Sequence, residues 1–170
     1  IIKKIIISVL KGKDYRPYVL TTINKRFVDN VYSLLKKINK AREKNKSAEW
    51  WINELVDNSS ISKKELLWFV GLNNKTVTNM ANTAKREVCI DLGKENIESI
   101  KLLSNEIEKA HNGLPYIEIK LKHNKKELVL TEQESLLLLN TISAMKLTIQ
   151  GGAWSEVGKK VEKKLLFSIF

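Results

Sequence analysis

The stretch Ile61-Ser62-Lys63-Lys64-Glu65-Leu66-Leu67-Trp68-Phe69-Val70-Gly71-Leu72-Asn73-Asn74-Lys75-Thr76-Val77-Thr78-Asn79-Met80 decides the fold. Ser62 and Glu65 have the S-x-x-E spacing of a capping box, in which a hydroxyl and a carboxylate satisfy donors that a helix start leaves unpaired. Ile61 and Leu66 stand at the two positions of a hydrophobic staple. A helix is expected from Lys63 to Val70, where Gly71 can take the positive φ of a tight interhelical turn. A second helix is expected from near Asn74 toward Arg86. Leu66, Leu67, Val70, Leu72, Val77 and Met80 would pack around the turn, so that the first helix braces the second.

That packing turns Asn73, Asn74, Lys75, Thr76, Thr78, Asn79, Asn82 and Lys85 outward. Their chemistry suits a DNA groove: Asn pairs bidentately with adenine, and Thr meets a thymine methyl. Lys75, Lys85 and Arg86 can hold phosphates. The competing reading is an ordinary helical hairpin with a polar surface. Charge weighs against it. The 170 residues carry 30 Lys and Arg against 19 Asp and Glu, a net +11. Residues 1–94 hold +10 of that excess, so the basic block and the candidate reader coincide, as a polyanionic partner requires.

Upstream, Pro17 suits the first turn of a helix. Leu20, Ile23, Phe27, Val31, Leu34, Leu35 and Ile38 then recur at steps of three and four, which predicts a long amphipathic helix. It ends in a basic stretch from Lys36 to Lys46, after which Ser47 is read as the cap of a short helix carrying Trp50, Trp51, Leu55 and Val56. The two Trp read as a core anchor and a lid. The opening Ile1-Ile2-Lys3-Lys4-Ile5-Ile6-Ile7 is too short and interrupted for a signal peptide.

Downstream, a third helix is expected after Gly93, with Ile97, Ile100, Leu103 and Ile107 on one face and Asn112-Gly113 as its stop. Tyr116 to Lys122 alternates with period two and, with Glu127 to Leu130, predicts a small hairpin. Thr131 and Glu134 form a second capping box, opening a helix through Leu136, Leu139, Ile142 and Met145. Gly151-Gly152 are expected to break it, and Ser155 to cap a last helix with Val157, Val161 and Leu165 buried. The single Cys89 excludes an internal disulfide, two His make a structural zinc site improbable, and no apolar run approaches ~18 residues. A cytoplasmic protein with no membrane segment is expected.

The last segment, Gly151-Gly152-Ala153-Trp154-Ser155-Glu156-Val157-Gly158-Lys159-Lys160-Val161-Glu162-Lys163-Lys164-Leu165-Leu166, puts Ser155, Gly158, Lys159 and Glu162 on one helix face. One carboxylate among ammonium groups suits a metal-and-phosphate site, but taken alone the composition better suits a salt-bridged surface helix. The segment resembles the GG-x-W-S-x-x-G-K-x-x-E-K-x-L pattern of CfrBI-type type II restriction endonucleases. Lys164 stands where that pattern has Pro. Gly12 to Arg16, Tyr18 to Leu20, Gly71 to Met80 and Lys85 to Val88 also resemble that family's N-terminal half.

The resemblance implies a PD-(D/E)xK nuclease, a homodimer hydrolysing double-stranded DNA at a short site with Mg²⁺. It makes Glu162 the candidate catalytic and metal-binding residue, and Ser155 and Lys159 DNA contacts. No counterpart of the family's later Asp and (D/E)-x-Lys follows Glu162, so the chain reads as a fragment inactive by itself, with the remaining catalytic residues outside it. Asp91 with Glu118-Ile119-Lys120 mimics such a site, but Glu118 and Lys120 occupy the polar face that any half-buried hairpin needs.

The expected architecture is mainly α with a small β-hairpin, a helix-turn-helix region followed by the start of a nuclease core. It divides into a basic helical region (1–60), the helix-turn-helix and following helix (61–112), the hairpin plus helix (113–150) and the first helix of a truncated core (151–170). The alternative is a non-catalytic helix-turn-helix regulator, which the charge block explains equally well.

Overall fold

A computed structural model of the chain describes residues 1–44, 49–123 and 126–169; the Ser47 cap and the hairpin turn at 124–125 lie outside the described residues. The fold is mainly α with one small antiparallel sheet. It comprises α1 (Ile2–Leu10), α2 (Arg16–Glu43), a π-helix (Trp51–Val56), α3 (Lys63–Phe69), α4 (Asn74–Ala81) and α5 (Arg86–Ala110). β1 (Lys120–His123), β2 (Lys126–Val129) and α6 (Glu132–Ile169) follow. Two compact units result, one of Ile1–Tyr32 with Lys146–Phe170 and one of Ser33–Met145.

In the first unit α1 buries Ile5, and the opening of α2 buries Val19 and Ile23. α2 begins where the Asp14 carboxylate accepts from the Arg16 backbone N–H at 2.9 Å, one residue before Pro17. The α6 part buries Ile149, Ala153, Val157 and Val161, a stripe spaced by four that keeps one helix face inward. That stripe passes straight through Gly151-Gly152, which do not break the helix, and Ser155 caps nothing. Two glycines cost a helix interior about 1 kcal/mol each, which the flanking buried residues outweigh.

The second unit is organised around α3. Both halves of its capping box form: Glu65 N–H donates to Ser62 Oγ at 3.2 Å, and Ser62 N–H donates to Glu65 Oε2 at 3.1 Å. Ile61 and Leu66 are both buried. The closing end is pinned by side chains, with the Trp51 indole donating to Phe69 O at 3.3 Å and Asn96 Nδ2 donating to Val70 O at 2.7 Å. Trp50 and Trp51 are both buried, so neither is a lid.

Gly71 takes φ +69°, and a Cβ there would collide with the Asn140 amide. Gly93 lies inside α5, not ahead of it. A Cβ at Gly93 would fall on Val70 Cγ1, so the glycine lets α5 approach α3 closely.

The hairpin is shorter than the alternation predicts. Register pairs Lys120 with Val129 and Leu121 with Leu128. Ahead of it, Ile119 O still accepts from the Leu130 N–H at 3.0 Å, but the Ile117 and Ile119 N–H groups donate to side chains, Glu132 Oε2 (2.8 Å) and Ser135 Oγ (3.2 Å). Those bonds need the first turn of α6 facing inward. The Thr131–Glu134 capping box forms as expected, with Glu134 N–H donating to Thr131 Oγ1 at 3.2 Å. Leu137, Leu138, Thr141 and Met145 consequently make the buried line, and Leu139, expected inside, is exposed.

Candidate nucleic-acid interface

α4 carries five of the ten sequence-predicted DNA contacts, Asn74, Lys75, Thr76, Thr78 and Asn79. Asn73 is its N-cap, accepting from the Thr76 N–H at 2.9 Å, and the fully buried Val77 fixes which side turns inward. Asn74, Lys75, Thr78 and Asn79 are exposed and Thr76 is half-buried. Thr78 donates its hydroxyl to Asn74 O at 2.9 Å, so its one hydroxyl proton is spent within the helix. The packing expected around the turn holds for Leu66, Leu67, Val70 and Val77, with Leu72 half-buried. Met80 breaks it, being 61% exposed and part of the outer face.

The second helix is shorter than expected. It stops at Ala81 because Asn82 adopts the left-handed conformation, φ 55°, and closes the helix end. Lys85 becomes the N-cap residue of α5, and its side chain is exposed. Arg86 opens α5, with its guanidinium donating to Ile61 O at 2.7 Å and Asn58 O at 2.8 Å. That fork ties the start of α5 to the chain entering α3.

The terminal segment has a different character. Ser155, Lys159 and Glu162 are exposed, and Gly158 has nothing within 4 Å of where a Cβ would stand. Glu162 lines a groove of about 410 Å³ shared with Ile5, Val9, Tyr15, Trp154 and Val161. Six residues earlier, Glu156 is bound on both oxygens, accepting from Arg26 Nη1 and from Lys160 Nζ, each at 2.7 Å. The Lys160 and Arg26 hydrogen bonds hold its carboxyl well below the usual range, at about 2. Sequence reading passed over this triad: Lys160 is legible at i+4, whereas Arg26 lies 130 positions away.

The implied Mg²⁺ does not fit these residues by themselves. Mg²⁺ takes oxygen ligands in near-octahedral geometry, whereas Glu162 stands among apolar side chains and Glu156 is spent on two cations. Among the described residues there is no group of three His, Cys, Asp or Glu able to hold a metal ion. The Asp91–Glu118–Lys120 imitation also fails to assemble as read: Asp91 is on α5. Glu118 pairs with Lys120 at 3.1 Å, a contact that raises the Lys120 pKa. Among the described residues no helix is long and apolar enough to cross a membrane.

Neither a curated protein nor a solved structure matches significantly. One family model, described as CfrBI restriction endonuclease, matches residues 1–170. The match spans the helix pair and the terminal segment together, and the chain therefore belongs to the CfrBI restriction endonuclease family, a family of DNA-cleaving enzymes.

Proposed function

We propose that this chain is the DNA-binding part of a type II restriction endonuclease, with α4 lying in the major groove of its site. The observation that carries the reading is the outer face of α4. Lys75, Thr78 and Asn79 project from a helix whose opposite side is fixed by the fully buried Val77. A rigid support behind adaptable polar groups is what base reading requires.

On this reading Asn79 pairs with a base edge, with Asn74, Thr76 and Thr78 beside it, and Lys75 and Lys85 contact phosphates. Asn82 and Arg86 position the reader: one closes α4, and the other anchors the start of α5. Ser155 and Lys159 are assigned to the backbone near the cleavage centre, and Glu162 to the cleavage step. Mg²⁺ and a homodimer on a near-palindromic site belong to the same reading.

Fluorescent duplex titrated at several salt concentrations tests the proposal. Each phosphate neutralised contributes about −0.9 to the slope of log K against log salt, so several contacts give a steep fall. Binding that is absent at low salt, or indifferent to salt, contradicts it.

A further inference from the structure

In the Ser33–Met145 unit, the C-terminal half of α2 faces a groove that the helix pair does not use. Lys37, Lys40 and Lys44 line this groove of about 420 Å³, together with Trp50, Asn58 and Glu54. Seven residues separate the first ammonium from the last, about 10 Å of helical rise. Like charges three and four apart repel one another on a helix, so the row is stabilised by an anion that enters between them. Position at the end of α2 favours cations through the helix dipole, but that accounts for the last turn and not for Lys37.

Lys37 is fixed by something else. Its ammonium sits over the Phe69 ring, 5.2 Å from the centroid. Phe69 is the last residue of α3, so the basic row is tied to the helix that braces α4. The buried Trp50 lies in the lining, and Glu54, the acidic residue there, is itself partnered. Three ammonium groups in line match a ligand whose charges repeat, and a DNA strand carries one phosphate per about 3.4 Å of axial rise.

We propose that this groove is a second seat for the DNA backbone, taking phosphates of the duplex whose bases α4 reads. It rests on the DNA-binding reading above. The seat adds affinity without sequence preference and fixes the angle at which α4 meets the groove, since backbone contacts set register while base contacts specify.

The test uses the full chain with Lys40→Gln and Lys44→Gln together, leaving the Lys37–Phe69 contact in place. Its salt slope is expected to fall by about 1.8, two phosphate contacts' worth, with the ranking of duplex sequences unchanged. The Lys40→Arg/Lys44→Arg variant keeps the charges and the wild-type slope, which separates charge from packing. A Gln variant retaining the wild-type slope overturns the seat and leaves the α4 reading standing. Wild-type protein with no salt-dependent duplex binding overturns both. Equal slope losses in the Arg and Gln variants also overturn the seat, since they trace to packing.

Discussion

Gly71 and Gly93, in the Ser33–Met145 unit, are enclosed, whereas Gly151, Gly152 and Gly158 in the other unit meet nothing within 4 Å of where a Cβ would stand. The first pair make room: Gly71 for the Asn140 amide at a positive φ, Gly93 for Val70. The second group sit on the outside of a continuous helix and relieve no crowding within the chain. One residue type thus builds a turn and a helix contact in the Ser33–Met145 unit, and leaves a bare helix face in the terminal segment. The two carboxylates of that segment differ in the same way. Glu156 is consumed by internal pairing, while Glu162 is exposed beside Gly158.

If the bare face serves cleavage, its largest signature is chemical. Glu162→Gln in the active endonuclease is expected to lower cleavage by about 10²-fold or more, with DNA binding and thermal stability retained. Near-normal cleavage would reduce Glu162 to a surface charge.

The glycines give the next effect, with opposite signs in the two regions. Gly93→Ala forces a methyl onto Val70 and is expected to cost about 1–3 kcal/mol. Gly152→Ala is expected to stabilise by about 1 kcal/mol, the helix-propensity difference. Denaturant unfolding of both variants measures this. A destabilising Gly152→Ala would mean that the helix is interrupted there after all.

The smallest effect is the pH dependence contributed by Glu156. Its folded pKa is depressed from 4.5 to about 2, so its contribution to stability is fully present above pH 4.5 and fades as pH falls toward 2. The carboxylate side chain is 40% exposed, and solvent screening limits the effect to about 0.5–1 kcal/mol. Glu156→Gln should flatten the wild-type stability curve across that window. An unchanged curve would show that the Arg26 and Lys160 contacts are not formed in solution.

What sequence reading recovered were local arrangements. Ser62 with Glu65, and Thr131 with Glu134, lie three residues apart, so their capping boxes depend on nothing distant. The start of α4 at Asn74 and the turn at Gly71 are equally local. The failures required a tertiary neighbour. Gly93 looks like a helix boundary until Val70 is known to press on it, and Gly151-Gly152 look like a break until the Ile149–Ala153–Val157–Val161 stripe is seen to carry the helix through. The buried face of α6 was misjudged at Leu139 because Glu132 and Ser135 turn inward to hold Ile117 and Ile119, an assignment no periodicity of apolar residues contains. At the candidate interface, the left-handed φ by which Asn82 closes α4 and the two carbonyls that Arg86 holds are likewise arrangements that no spacing in the sequence contains.

The central claim is that α4 reads DNA bases, and it is tested most directly by comparing Asn79→Ala with Lys75→Ala on the preferred duplex and on scrambled duplexes. Asn79→Ala should cost about 1–3 kcal/mol on the preferred duplex and almost nothing on the others. Lys75→Ala should weaken all of them alike and reduce the salt slope by about 0.9. Equal, small losses from both substitutions on every duplex would contradict the account and leave α3 and α4 a helical hairpin with a polar surface.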